Sequence, residues 1–153
     1  MTERVGQPAD ADSETTTVAF VCIQNAGRSQ MAAAFAERAR RRRGLESQIT
    51  VRSGGTDPAK HVHDVVVDAM DEVGIDVSER RPREITPEEI ETCDIVITMG
   101  CDAEGICPMT WRGDARDWAL EDPHGSSVED VRKIRVEIER RVEALFKELT
   151  TAE

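Results

Sequence analysis

Five residues separate Cys22 from Arg28 in the run Cys22-Ile23-Gln24-Asn25-Ala26-Gly27-Arg28-Ser29, just after the apolar stretch Val18-Ala19-Phe20-Val21. The pattern is that of a strand passing through a tight loop into a helix. In such a loop backbone N–H groups curl around an anion, and the helix dipole adds positive potential. With one nucleophile and one guanidinium, the chemistry is that of a tetrahedral oxyanion such as phosphate or arsenate. A sulfur beside N–H donors and an arginine is favoured as the thiolate. The planar fork of Arg28 suits two oxygens of the guest. Gly27 frees the backbone, Ser29 donates to the thiolate or caps the helix, and Asn25 braces the loop through its side chain. Ile23, Gln24, Asn25, Ala26, Gly27, Arg28 and Ser29 are therefore the candidate substrate-binding residues.

Asp122-Pro123 follows the last expected strand, where a carboxyl could protonate a departing oxygen as a general acid. Asp-Pro alone is a common loop signal, and His124 beside it fits a surface role. Cys101 and Cys107 are separated by Asp102-Ala103-Glu104-Gly105-Ile106. A disulfide can close that step if the loop bends, and thiols beside an oxidisable thiolate can resolve it. Two inert loop cysteines are the alternative. A metal clamp would need further ligands, and His61, His63 and Cys93 do not supply the spacing, so no metal is expected. Cys93, at the start of a strand, reads as buried core.

These residues need a scaffold. Strands are expected at Val18–Val21, Gln48–Ser53, Asp94–Met99 and Asp117–Leu120. Helices are expected from Ser29 to Arg43, stopped by Gly44, and from Val62 to Val73, stopped by Gly74. A short helix opens at Pro87 with Thr86 as its cap, and a long one runs from Ser127 to Leu149. Strands alternating with helices predict an α/β fold, a parallel sheet covered on both faces. Ligands then sit beyond the carboxyl ends of the strands, where Cys22, Thr98 to Cys101 and Asp122 would meet.

The length, 153 residues, fits one domain with its own core. Residues 1–17 are polar and acidic and read as a flexible lead-in without a signal core, leaving 18–150 as the domain. No apolar run approaches the ~20 residues that cross a bilayer. A net charge of -11 argues against nucleic acid as a partner. Four cysteines without a staple pattern point to a reducing, cytoplasmic setting. Only Lys60, Lys133 and Lys147 are lysines, and the other basic residues are arginines. Many acids and few lysines suit a halophile's salty cytoplasm, where screening removes self-repulsion. An ordinary acidic protein from a GC-rich genome is the alternative. The run Arg40 to Arg43 reads as a solvated helix end, favoured by the C-terminal dipole. A monomer is expected.

The segments Cys22 to Ala32, Ser53-Gly54-Gly55-Thr56, Thr98 to Ala103 with Cys107-Pro108, and Trp118 to Pro123 together resemble the arsenate reductases of the low-molecular-weight protein tyrosine phosphatase-like family. The resemblance covers Val18 to about Leu149. It implies a three-layer αβα domain around a four-stranded parallel sheet. It also implies reduction of arsenate to arsenite by Cys22, with Arg28 holding the oxygens, Asp122 as the acid, and Cys101 and Cys107 as a disulfide relay. No tightly bound cofactor is implied. An external thiol reductant, thioredoxin or a glutaredoxin-like protein, would restore the enzyme, and the biological setting would be arsenical resistance. Two departures stand out. Gly100 occupies the usual place of the first resolving cysteine, with Cys101 one residue later, and Gly27 replaces a cysteine often found in the anion loop. The alternatives are a low-molecular-weight phosphatase working through a phosphocysteine, and a non-enzymatic oxyanion or redox sensor. The lack of tyrosine and of aromatics after Asp122-Pro123 weakens the first, and the nucleophile, arginine and acid together weigh against the second.

Overall fold

The computed structural model describes residues 15–99, 107–120 and 127–151. In chain order the elements are β1 (Thr16–Cys22), α1 (Arg28–Arg42), β2 (Ile49–Gly55), α2 (Asp64–Asp71), α3 (Pro87–Glu91), β3 (Ile95–Thr98), β4 (Asp114–Asp117) and α4 (Val128–Thr151). The four strands form one parallel sheet in the order β2-β1-β3-β4. β1 is central, and its side chains alternate between two cores. Val18, Phe20 and Cys22 join the larger one, with Ile95 and Ile97 of β3 and the apolar faces of α1, α2 and α4. Ala19, Val21 and Val96 point the other way, to Ile85, Ile90 and Cys93. The expected three-layer α/β architecture is present, with the heavier helical layer on the α1, α2 and α4 side. No described helix is long and apolar enough to cross a membrane.

Local sequence explains most of the boundaries. α1 and α2 both end in glycines with positive φ, Gly44 at 67° and Gly74 at 79°. At each the glycine N–H and the next N–H reach back across the last turn: Gly44 to the Arg41 carbonyl, Leu45 to Arg40, Gly74 to Asp71, and Ile75 to Met70. These bonds satisfy carbonyls that the helix end leaves open. α3 starts with the expected Thr86 cap, reciprocated by Glu89 in a capping box, with Pro87 in the first turn.

Several boundaries differ from expectation. β1 starts at Thr16, because Asp94 accepts the Thr17 N–H at 2.8 Å and β2 pairs with Thr16. α2 is shorter than the apolar stripe that announced it: Val62 is buried in the approach to the helix and Val73 packs after it. β4 lies at Asp114–Asp117 and not at Asp117–Leu120. It is an edge strand with solvated side chains, so its charged sequence hides it. Trp118 and Leu120, just beyond it, pack instead. Trp118 continues the ladder by donating its N–H to the Thr98 carbonyl at 2.8 Å and lays its ring 5.8 Å from Phe20.

Candidate active site

The loop from Cys22 to Gly27 leaves the carboxyl end of the central strand, and the segment after β2 holds it from outside. The amides of Thr56, Asp57, Ala59 and His63 donate to the carbonyls of Cys22, Ile23, Gln24 and Ala26, at 3.2, 2.8, 2.9 and 3.0 Å. Those carbonyls therefore face away from the cup. The described peptide bonds are trans, so the N–H of each following residue faces the opposite way, inward. The Asn25 N–H lies where this predicts, 3.2 Å from Cys22 Sγ. Asn25 has a φ of 52°, a left-handed conformation that asparagine tolerates better than most residues.

Ser29 Oγ is 2.9 Å from Cys22 Sγ. It accepts the Asn25 side-chain amide at 2.7 Å, which leaves its own hydrogen available to the sulfur. The sulfur thus has a main-chain donor and a hydroxyl donor within a buried shell: Asn25 and Ser29 are both 0% exposed and Cys22 is 3%. Among the described residues no side chain caps α1, whose first turn starts at Arg28. Its leading N–H groups and its dipole are thus directed at the cup.

Arg28 is nearly buried and donates from Nη1 to the Leu120 carbonyl at 2.9 Å. That contact ties the guanidinium to the chain just two residues before Asp122. Cys22, Ile23, Gln24, Gly27, Arg28 and His63 line one cavity of about 210 Å³. The anion-loop residues expected from sequence are therefore brought together, with Ala26 buried behind them. Cys101 and Asp122 lie outside the described residues, as do Gly100 and His124. Cys107 does not line this cavity. It packs with Trp111 against the smaller core that holds Cys93, and burial pushes its thiol up. Cys93 is buried as expected; its sulfur donates to the Glu89 carbonyl at 3.3 Å and burial pushes its thiol up as well. Among the described residues no cluster of histidine, cysteine and carboxylate side chains could hold a metal ion.

Several contributors to the site carry little signal in the sequence. His63 stood out only as a poor metal ligand, yet it walls the cavity. Gln30, Arg80 and Arg83 support the loop from behind: Gln30 donates to Asn25, Arg80 donates to Gln30, and the Arg83 N–H donates to Asn25 Oδ1 at 3.0 Å. Gln30 gave one signal, a polar residue inside the apolar start of α1.

The chain matches a family model described as low molecular weight phosphotyrosine protein phosphatase over residues 17–153. A Halobacterium salinarum protein named "Putative arsenate reductase" is 56% identical over 143 residues, covering 90% of this chain and 95% of that one. The "Glutaredoxin arsenate reductase" of a Synechocystis species is 35% identical over 136 residues, covering 87% and 98%. Among solved structures, a thioredoxin-dependent arsenate reductase of Corynebacterium glutamicum superposes with a TM-score of 0.75 at 32% identity, covering 98% of this chain and 71% of that one. With the anion loop, its flanking segment and the parallel sheet, these matches establish that the chain belongs to the low molecular weight phosphotyrosine protein phosphatase family, in the branch that holds the arsenate reductases.

Proposed function

We propose that this protein reduces arsenate to arsenite with Cys22 as nucleophile, within a catalytic domain running from β1 to α4, a little beyond the expected 18–150 at both ends. The supporting observation is the cup itself: a buried sulfur with the Asn25 N–H and Ser29 hydroxyl as donors, sharing a cavity with Arg28. The Cys22 thiolate attacks arsenic, and an As–O bond breaks as Asp122 protonates the departing oxygen. Arg28 and the inward amides hold the remaining oxygens as charge shifts among them. A second thiolate, from Cys101 or Cys107, then attacks Cys22 Sγ. The S–As bond breaks, its electron pair stays on arsenic, and arsenite leaves as the sulfurs form a disulfide. Exchange moves that disulfide onto the Cys101–Cys107 pair, and an external dithiol reduces it. The packing of Cys107 fits this order. It is partly buried against the smaller core, which pushes its thiol up, so the relay requires it to leave that core.

The relatives' names point to two donor systems, glutaredoxin in one and thioredoxin in another. We place the protein in a cytoplasm, as a monomer that uses no metal and binds neither nucleic acid nor membrane. Its acidic, lysine-poor composition suits a halophile. Turnover of arsenate with thioredoxin and its reductase, compared with a small thiol plus a glutaredoxin-like protein, tests the proposal. Arsenite formation with either system supports it, and formation with neither refutes it. Phosphate-ester hydrolysis through a phosphocysteine is the second possibility, favoured by the family model. Cys22→Ser should abolish both activities, whereas Cys101→Ser or Cys107→Ser should remove only reduction.

A further inference from the structure

Behind the anion loop, a line of polar side chains runs from the surface to the sulfur. Glu37 and Gln30 are seven residues apart on α1 and so share a face. Arg80, from the loop between α2 and α3, bridges them, donating from Nη1 to Glu37 at 2.9 Å and from Nε to Gln30 Oε1 at 2.6 Å. Gln30 is only 1% exposed. Its Nε2 donates to both oxygens of Asn25, the carbonyl at 3.0 Å and Oδ1 at 3.1 Å.

Each link has a direction. A guanidinium can only donate, so it binds the oxygen of the Gln30 amide and turns the Gln30 NH₂ toward Asn25. Asn25 Oδ1, taken by Gln30 and by the Arg83 N–H, leaves the Asn25 NH₂ facing Ser29. Ser29 Oγ therefore accepts, and its hydrogen is available to the sulfur. If Gln30 were reversed, an oxygen would face the two oxygens of Asn25, and the left-handed turn at Asn25 would lose its clamp. We propose that Arg80 is a positioning residue for Cys22, fixing the amide orientation of Gln30 and through it the donors that Asn25 and Ser29 direct at the sulfur. The proposal rests on Cys22 being the nucleophile, as argued above.

The test is the rate at which iodoacetamide alkylates Cys22 at pH 7, read by mass spectrometry on the peptide carrying it, together with kcat and KM for arsenate. Arg80→Met keeps the aliphatic stem and removes the donors. It should slow alkylation and lower kcat about tenfold, with KM changed less than twofold, the size expected for disturbing hydrogen bonds to a charged group. Arg80→Lys, which cannot grip Gln30 and Glu37 as a fork, should lose about threefold. A purely structural Arg80 would lower the melting temperature and leave the alkylation rate of the folded protein unchanged. That result in either variant overturns the proposal, as does a rise in KM with kcat intact. If Arg80→Met does not fold, Arg80→Lys decides alone. Alkylation needs no arsenate, so slowed alkylation in a protein that never reduces arsenate would sink the reductase function and leave the positioning role standing.

Discussion

Ser29 and Arg28 divide the work of the cup, and each predicts a different kinetic signature. Ser29 acts on the sulfur through its hydroxyl, so Ser29→Ala should lower kcat about tenfold and leave KM nearly unchanged, since a charge-assisted hydrogen bond is lost without altering the guest's seat. Arg28 lines the cavity beside Cys22. Arg28→Lys keeps the charge but loses the planar fork, so KM for arsenate should rise about tenfold or more with a further loss in kcat. Steady-state kinetics on both variants would separate the two roles, and a rise in KM alone for Ser29→Ala would contradict the assignment. At this scale the sequence was informative where chemistry is local. Cys22, Asn25, Arg28 and Ser29 lie within eight residues and announce themselves by type and spacing. Arg80 and Arg83 did not, because their partners are 50 and 58 residues away and only the fold joins them.

The end of β2 and the segment after it hold the anion loop in shape, and two glycines test how closely. A Cβ on Gly55 would stand 2.5 Å from the Ile23 carbonyl oxygen and 3.0 Å from the Asn25 nitrogen. Gly55→Ala must therefore push the loop, costing about 1–3 kcal/mol of stability and turnover beyond what that loss explains. At Gly74 the added Cβ would meet open space, but the φ of 79° remains unfavourable for alanine. Gly74→Ala should cost about 1 kcal/mol and leave kcat intact. Urea denaturation and turnover on the same preparations check both, and equal activity in the two variants would show that Gly55 does not support the loop. Gly44 and Gly74 were legible as helix ends because their signal is local backbone geometry. β4 was misplaced because an edge strand needs no apolar alternation, while the apolar Trp118 beside it packs against Phe20 without belonging to the strand. The supporting segment from Thr56 to His63 has no strand or helix pattern, and its role is visible only in its bonds to the loop.

Across the whole molecule, arginine–carboxylate pairs tie α4 to the rest of the fold. Arg132 and Arg135 both engage Glu72 beyond α2, at 2.6 and 2.8 Å, and Arg116 of β4 reaches Glu148 at 2.6 Å. The hydrogen bonds from Arg132 and Arg135 pull the Glu72 carboxyl down to about 2, and Arg140 with Arg141 does the same to Glu137. A carboxyl lowered in the folded state contributes stability above its unfolded pKa of about 4.3, and that contribution disappears as pH falls toward the folded value. Glu72→Gln should therefore melt lower than wild type at pH 7, and the gap should shrink between about pH 4.5 and pH 2. Both carboxylates are solvated, so the effect should be modest and should shrink with added salt. A gap that widens in acid would reverse the sign and reject the pairing. The overall charge of -11 was legible as acidity, but which arginines bind which acids follows from the packing of helices far apart in sequence.

The reduced protein mixed with arsenate and no external donor gives the most direct test. Each chain holds the electrons for one cycle, so about one arsenite should form per chain while two thiols disappear into a disulfide, and Cys22→Ser should form none. Four thiols unchanged and no arsenite, in folded protein that still binds the oxyanion, would contradict a thiolate that passes its electrons to arsenic.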